Sequence, residues 1–256
     1  MIKQLIFSLC IFLSVFSYAQ ENTRTADGKT DKLAGKIMVV PFEPKLYMSE
    51  IDQKVNAQTQ WNFNQIREFF RHQLDSQLKL KLQSIQSPVT GFYIDSARTS
   101  ADLQYIYSST SLAFDLIDKP TAPTVENKTQ SGIKNGQIVV EISNDKKFTN
   151  TKLTNKELIP YLSKKYKSDY FVFINELDIR TVMDSYDLAT DSYKREVTVH
   201  YTIVDKDSKL IVAGAAVSQL SSKVNDPKKI VSLAFSPIAS YIANKFAVAI
   251  KPKDQK

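Results

Sequence analysis

Cysteine is nearly absent from this chain, which limits its chemistry. Cys10 is the only cysteine among 256 residues, and it lies inside an apolar run near the N-terminus. If this run is cleaved off, the remaining chain has no thiol, which excludes disulfides, thiolate nucleophiles and thiolate-ligated metals. Leu9 precedes the cysteine, whereas a lipoprotein signal needs a small residue there, so we expect no lipid anchor.

Histidine and glycine are also scarce. The two histidines, His72 and His200, are far apart in sequence, and neither has a partner at the close spacing that zinc sites use. The six glycines are scattered singly, so there is no glycine-rich phosphate loop and no Gly-x-Ser-x-Gly nucleophile motif. The sequence therefore predicts a protein without catalytic activity, cofactor or metal.

The N-terminus has the pattern of a secretory signal peptide over residues 1–19. Lys3 gives a positive start, residues 5–16 are mostly apolar, and residues 17–19 (Ser-Tyr-Ala) fit the small-x-small cleavage rule. A membrane-spanning helix needs about 20 apolar residues, so this run is too short. We expect cleavage after Ala19 and export, with the protein periplasmic or peripherally associated with the outer membrane.

Composition favours one folded domain after a flexible leader. Apolar residues make up 43% of the chain and aromatic residues 11%, which argues against global disorder. Residues 20–35 are polar and aperiodic and are predicted to be flexible. Residues 36–250 are predicted to form a single α+β domain with an inserted segment at about 90–150. The net charge of +7 is spread along the chain, so we expect no nucleic-acid binding and only weak contact with anionic lipid or envelope polymer.

Four helices are predicted from capping residues and apolar spacing. Asn62 and Gln65 form a capping box ahead of an amphipathic helix of more than five turns. Asp226 caps and Pro227 opens the last helix, in which Pro237 predicts a kink. The other two helices are predicted over residues 99–114 and 154–166.

The predicted strands lie at residues 37–42, 138–142, 169–182, 193–204 and 209–220, with a polar loop at 183–192. Alternation in two of them separates an apolar face from a polar face. The apolar face is predicted to carry Phe171, Phe173, Leu177, Ile179, Val197, Val199, Tyr201 and Ile203. The polar face, expected to meet water or a partner, carries Glu176, Asp178, Arg180, Thr198, His200 and Thr202. The element order predicts a two-layer α+β fold with an antiparallel-rich sheet and helices on one face.

Three short segments carry a resemblance to known envelope domains. Val39-Val40-Pro41-Phe42 ends a strand that precedes a long helix. Residues 166–172 (YKSDYFV) lead from a helix end into an apolar strand, and residues 204–210 form a strand, tight turn and strand. These features resemble the curli-secretion channel lipoproteins, the lipoprotein activators of penicillin-binding proteins and the N-terminal domain of TolB.

The resemblance covers residues 36–85 and 154–248 and implies a scaffold, channel-subunit or enzyme-activator role in the cell envelope. It supplies no catalytic residues. The chain departs from the group in its segment at 90–150 and in lacking a lipid-bearing cysteine.

We therefore expect an exported accessory or scaffold protein that binds another envelope protein through the polar sheet face or the loop at 183–192. One alternative is a subunit of an oligomeric secretion channel, although the 90–150 segment is polar and short of the alternation that membrane hairpins need. Another is a cell-wall hydrolase using Glu176 and Asp178, which share a strand face. Arg180 beside them favours an ordinary charged surface instead.

Overall fold

A computed structural model describes residues 35–85, 88–92, 96–116, 132–134, 137–139 and 147–250. The predicted signal peptide, its cleavage position and almost all of the predicted leader lie outside the described residues. The helices are α1 Asp52–Thr59, α2 Phe63–Ser84, α3 Ser96–Ser108, α4 Leu158–Tyr166 and α5 Pro227–Ala249. The strands are β1 Ile37–Val40, β2 Tyr47–Ser49, β3 Val89–Gly91, β4 Thr110–Leu116, β5 Gly132–Lys134, β6 Gln137–Val139, β7 Lys147–Leu153, β8 Tyr170–Asp187, β9 Ser192–Asp205 and β10 Leu210–Ser221.

The main sheet has the strand order β10-β9-β8-β1-β3, and β2 pairs with β8 beyond the end of β1. Strand β9 pairs with β8 on one side and with β10 on the other, and both pairs are antiparallel. Strands β1 and β2 each pair in parallel with β8, and β3 pairs in parallel with β1. The parallel pair β1 and β3 needs a crossover connection, which α1 and α2 supply. The predicted α+β class is confirmed, and the sheet is mixed.

The hairpin of β8 and β9 is longer than predicted. Residues 183–187 continue β8, so most of the predicted polar loop at 183–192 is strand, and the turn is short. The rings of Tyr186 and Tyr193 pack together with centroids 4.9 Å apart. Cross-strand aromatic contacts of this kind stabilise the end of the hairpin, where most of the residues are polar.

A β-bulge at Asn175 reverses the side-chain alternation of β8. Ile174 pairs with Tyr201 and Glu176 pairs with His200, which leaves Asn175 as an extra residue. Before the bulge, Phe171 and Phe173 therefore lie on the face opposite to the one that holds Leu177 and Ile179 after it. The prediction that all odd-numbered apolar residues share one face is wrong for these two phenylalanines.

Helices α2 and α5 cover one face of the sheet and form the larger core. The predicted capping box at Asn62 and Gln65 begins α2, with both reciprocal hydrogen bonds present. The apolar stripe of α2 is fully buried against the sheet and α5; it comprises Ile66, Phe70, Leu74, Leu78 and Leu82. Burying one such side chain contributes about 1.5–3 kcal/mol to folding.

Helices α3 and α4 pack on the other face, so the expectation of helices on one face is wrong. Their core contacts are Phe171, Phe173, Met38 and Val40, the side chains that the β1 pleat and the β8 bulge direct to this side. Asp102 of α3 joins the two helices because its carboxylate accepts hydrogen bonds from Tyr161, Lys165 and Tyr166 of α4. Burial raises the pKa of Asp102, but these hydrogen bonds outweigh it and hold the pKa below its ordinary value.

Helix α3 ends at Ser108, earlier than predicted. The residues from Ser108 to Ser111 are weak helix formers, and the chain enters β4, which pairs along its whole length with β7. The predicted helix over residues 99–114 is therefore wrong beyond Ser108.

Helix α5 begins with the predicted cap, in which the Asp226 carboxylate accepts from the Lys228 amide. Before Pro237 the helix passes through a π-helical turn at Val231–Phe235. Proline has no N–H to donate to the Leu233 carbonyl, and the Ser218 hydroxyl lies 3.3 Å from that oxygen. Among the described helices, α5 alone is apolar enough to span a bilayer by length and composition, and half of that stretch is buried in the core.

The buried carboxyl of Asp75 in α2 gives the fold a pH dependence. Burial raises the pKa of Asp75 to about 7, against the opposing charges of Arg71 and Lys79. Because this pKa lies above the ordinary value of 3.8, the native state holds the proton more tightly than the unfolded state does. The associated stability is complete below about pH 4 and is lost as the pH rises through about 7.

The variant Asp75→Asn removes this titration while keeping the shape of the side chain. We expect the difference in unfolding free energy between this variant and wild type to change by roughly 2–3 kcal/mol in favour of the variant as the pH rises from about 5 to about 8. Urea unfolding at both pH values measures the difference, with Asp184→Asn at an exposed position as the control. Parallel pH curves for wild type and Asp75→Asn would contradict the assignment.

Candidate binding site

Strands β4 and β7 form a two-stranded ribbon that lies across the polar face of the main sheet. One end of the ribbon, at Thr110 and Thr151, shares a cavity with Phe173 and Asn175 of β8. The other end shares a groove with β10 and is formed by Asp115, Leu116, Phe148 and Asn150. The ribbon therefore crosses from β8 to the edge of the sheet at β10.

The bulge residue Asn175 anchors the ribbon to the sheet. Its amide nitrogen donates to the Thr149 carbonyl at 2.6 Å and to the Thr202 hydroxyl at 2.8 Å. Its amide oxygen accepts from the Thr151 hydroxyl at 2.7 Å. The Thr202 hydroxyl also accepts from the Thr151 amide and donates to Asn150. A buried polar network that is satisfied in this way fixes one position of the ribbon.

His200 holds the middle of the ribbon. The Thr149 amide donates to Nδ1 of His200 at 2.9 Å, and the Thr149 hydroxyl donates to Glu176 at 2.6 Å. An Nδ1 atom that accepts a hydrogen bond carries no proton, so the neutral ring carries its proton on Nε2. Burial lowers the pKa of His200, against the raising effect of Glu176. The imidazole is therefore a neutral acceptor at Nδ1 and a donor at Nε2.

Glu176, Asp178 and His200 come close enough to suggest a metal site, with one potential ligand atom of each within 4.8 Å of the others. The hydrogen bonding opposes this use. Binding a metal through Nε2 would require the ring proton on Nδ1, where it would meet the Thr149 N–H. Asp178 is also occupied by an ion pair with Arg180. The three groups fit a hydrogen-bonded cluster better than a metal centre.

The ribbon changes the exposure of the predicted interaction face. Asp178, His200 and Thr202 are buried, so the expectation of a face open to water is wrong for these three. Glu176 and Thr198 are half-buried, and Arg180 is exposed. Contact of these residues with a partner stays a prediction.

Sequence reasoning missed the ribbon, although a signal for it exists. Leu112, Phe114 and Leu116 alternate along β4 and are all exposed, with Phe114 at 76%. Because a helix is predicted over residues 99–114, this period-two pattern is not assigned to a strand. The predicted lack of alternation in the 90–150 segment is wrong for β4.

The outer edge of β10 is a second feature that sequence reasoning missed. β10 ends the main sheet, and no described strand pairs with its outer side. Residues 210–222 contain neither a charge nor a proline, and β10 itself is 12 residues long. Natural edge strands are usually short or protected by lysine, proline or bulges. Here the only irregularity in pairing lies at the start of the strand, between Leu210 and Val212.

A groove of about 580 Å³ follows this edge. Its floor is the Ala213-Gly214-Ala215 segment of β10, where Gly214 leaves the middle of the edge without a side chain. Tyr241 and Lys245 of α5 form one wall, and the ribbon end forms the other through Leu116 and Phe148. The unpaired backbone of β10 thus lies between two walls.

No known protein family matches the chain, and no curated protein matches it. Among solved structures, it is similar to a hypothetical protein from Chlamydia trachomatis, with a TM-score of 0.42, 11% identity, and coverage of 84% of this chain and 98% of that one. It is also similar to a lipoprotein from Neisseria meningitidis, with a TM-score of 0.37, 11% identity, and coverage of 83% and 98%. These values are too low for either description to be transferred to this chain.

The anchoring role of Asn175 is testable by hydrogen exchange. We expect Asn175→Ala to lower the free energy of ribbon opening by about 1–3 kcal/mol, because buried partners lose their hydrogen bonds. Amides of β7 should lose protection while those of α2 keep theirs. The control is Asn56→Ala, which removes one exposed hydrogen bond to the Trp61 carbonyl. Unchanged protection of β7, or equal loss throughout the chain, would contradict this role.

Proposed function

We propose that this chain is an exported cell-envelope accessory protein that acts without catalysis by binding another protein at the outer edge of β10. Export rests on the signal-peptide pattern of residues 1–19. The single observation that carries the binding proposal is the long, uncharged, unpaired edge of β10 inside a walled groove.

Strand addition is the form of recognition that this edge favours. In an antiparallel pair, every second residue of an edge strand directs its N–H and C=O groups away from its partner. An extended segment from another protein can satisfy these groups and place alternate side chains against the two walls. The backbone then supplies affinity, and the walls supply selectivity.

The groove fits an uncharged, extended segment. A charged side chain beside residues 210–222 would be desolvated without a partner of opposite charge on the strand. The small residues of the floor leave room for a backbone at normal strand spacing, while Leu116, Phe148 and Tyr241 offer apolar contacts on both sides. Lys245 and Asp115 lie on the two walls, where they can meet polar groups at the ends of the segment.

The non-catalytic part of the proposal is supported by the state of the polar cluster. Catalysis by a carboxylate pair needs one accessible acid and one accessible base. The Asp178 carboxylate is buried and paired with Arg180, and Glu176 accepts from Thr149. Both carboxylates that the hydrolase hypothesis requires are therefore engaged within the chain, Asp178 by Arg180 of β8 and Glu176 by Thr149 of the ribbon.

A second candidate function is a subunit of an oligomeric secretion channel. The observation that favours it is the exposed stripe Leu112, Phe114 and Leu116 on β4. Amphipathic hairpins with such alternation are the elements that build membrane barrels. On this account the chain would pair with copies of itself in assemblies of high order.

The strand-addition proposal is tested by photo-crosslinking in cells. A photoreactive residue replaces Tyr241, which is 45% exposed on the groove wall. In a second chain, the same replacement is combined with a substitution in the β10 edge. We expect Leu210→Lys to reduce the adduct by about tenfold or more, because it places a charge in the paired edge. The matched control is Leu80→Lys on α2, since Leu80 is 57% exposed and Leu210 is 52% exposed.

The peptide captured in the adduct distinguishes the hypotheses. An uncharged, extended segment of one defined envelope protein, lost in Leu210→Lys but not in Leu80→Lys, supports strand addition. Ladders of self-adducts support the channel. Absence of an adduct, or equal effects of the two lysine variants, contradicts docking at β10.

The mass of the purified chain tests export in the same sample. A chain that starts at Gln20 supports export with cleavage after Ala19, and a chain that retains Met1 contradicts it.

A further inference from the structure

We propose that His200 makes the β10 groove sensitive to pH, because protonation of its imidazole releases the β4–β7 ribbon and with it one wall of the groove. This inference rests on the proposed function for its consequence. The release itself is a property of the isolated chain and is measured without a partner.

The geometry allows only the neutral imidazole. The Thr149 N–H points at Nδ1 of His200 from 2.9 Å, in the centre of β7. An imidazolium carries N–H groups on both nitrogens, so protonation would place two donors against each other. The Thr149 amide would then be a buried donor without an acceptor, which costs the ribbon both a hydrogen bond and a desolvation penalty.

The released state has its own stabilising interaction. The Glu176 and Asp178 carboxylates lie on β8 beside the ring, within 4.8 Å by ligand atoms. Release of the ribbon also removes the Thr149 hydroxyl from Glu176, so an imidazolium freed from the Thr149 amide can donate to this carboxylate. The cluster therefore has two arrangements, one with a neutral ring bound to the ribbon and one with a charged ring bound to Glu176.

The charges around His200 come from two packed elements. Strand β8 supplies Glu176 and Asp178 with negative charge and Arg180 with positive charge, while the facing residue of β10 is Ala215. The ribbon carries Asp115, Lys147 and Lys152, and Asp115 is engaged with Lys152. Burial lowers the pKa of His200 most, Glu176 raises it and Arg180 lowers it, and the net direction is downward.

The direction of the pH effect follows from this depressed pKa. His200 binds a proton less readily when the ribbon is docked than when it is released. Docking therefore becomes weaker as the pH falls through 6.5, the ordinary pKa of histidine. Docking is complete above that value. The consequence for the groove follows from its lining, because Asp115, Leu116, Phe148 and Asn150 all belong to the ribbon.

The experiment is hydrogen exchange of the purified chain at about pH 7.5 and about pH 5.5, corrected for the intrinsic pH dependence of exchange. Three chains are compared: wild type, His200→Gln and His72→Gln. Glutamine can accept from the Thr149 amide through its side-chain oxygen and does not titrate. His72 is the only other histidine, which makes its substitution the matched control.

We expect corrected exchange of β7 amides to rise by about tenfold at the lower pH in wild type and in His72→Gln, because the ribbon loses the hydrogen bond from the Thr149 amide to Nδ1 of His200. In His200→Gln it should not change with pH. Exchange in wild type that is independent of pH, or a rise that persists in His200→Gln, would overturn the proposal. If His200→Gln does not fold, the wild-type Thr149 amide resonance decides: a shift that follows the His200 titration supports the proposal, and independent titrations overturn it.

Crosslinking from Tyr241 at the two pH values separates this inference from the proposed function. An adduct that weakens at the lower pH as β7 opens supports the coupling. An adduct unchanged while β7 opens overturns the coupling and leaves strand addition intact. No adduct at either pH overturns the proposed function, and ribbon release is then judged by exchange alone.

Discussion

The arrangement of this protein depends on one extra residue in one strand. Asn175 lies in the β-bulge of β8, and its side-chain amide bonds the Thr149 carbonyl and the Thr151 hydroxyl of the ribbon and the Thr202 hydroxyl of β9. The same bulge reverses the pleat of β8. It sends Phe171 and Phe173 toward α3 and α4, and Leu177 and Ile179 toward α2 and α5. The bulge therefore places apolar side chains of β8 on both faces of the sheet, and its own residue holds the ribbon by hydrogen bonds.

The ribbon converts a polar sheet face into an interior contact. Hydroxyl, amide and imidazole groups on β8 and β9 meet the β7 backbone, and each donor in the Asn175–Thr202 network has an acceptor. Such contacts give position more than stability, because each net hydrogen bond contributes only about 1 kcal/mol. An interface of this kind can open without unfolding the apolar cores beneath α2 and α5. That separation permits a titrating histidine to control one wall of the β10 groove.

Local sequence signals predicted the elements whose causes are local. The capping box at Asn62 and the Asp226–Pro227 start of α5 both depend on residues within one turn, and both are present. The face assignment failed because a bulge adds one residue without any sequence mark that strict alternation detects. The ribbon was missed because β4 is stabilised by β7, whose partner residues lie 31 to 43 positions away. Pairing at that distance overrides local propensity, and no single-segment pattern reports it.

The candidate site divides in the same way. The polar residues of β8 and β9 were found from alternation, but their burial depends on the ribbon. The groove at β10 was missed because an unpaired edge is a property of sheet order and not of the strand's own residues. Its neutrality from Leu210 to Ser222 is nonetheless visible in the sequence. Long uncharged strands therefore merit attention as edges as well as cores.

Strand addition requires the outer edge of β10 to be unpaired in the free chain and paired in the functional complex. Residue-resolved amide exchange along Leu210–Ser221 tests it most directly. We expect alternate β10 amides to exchange rapidly in the free chain and to become protected when the captured partner is bound. Uniform protection of β10 in the free chain, or alternate amides that stay exposed in the complex, would contradict it.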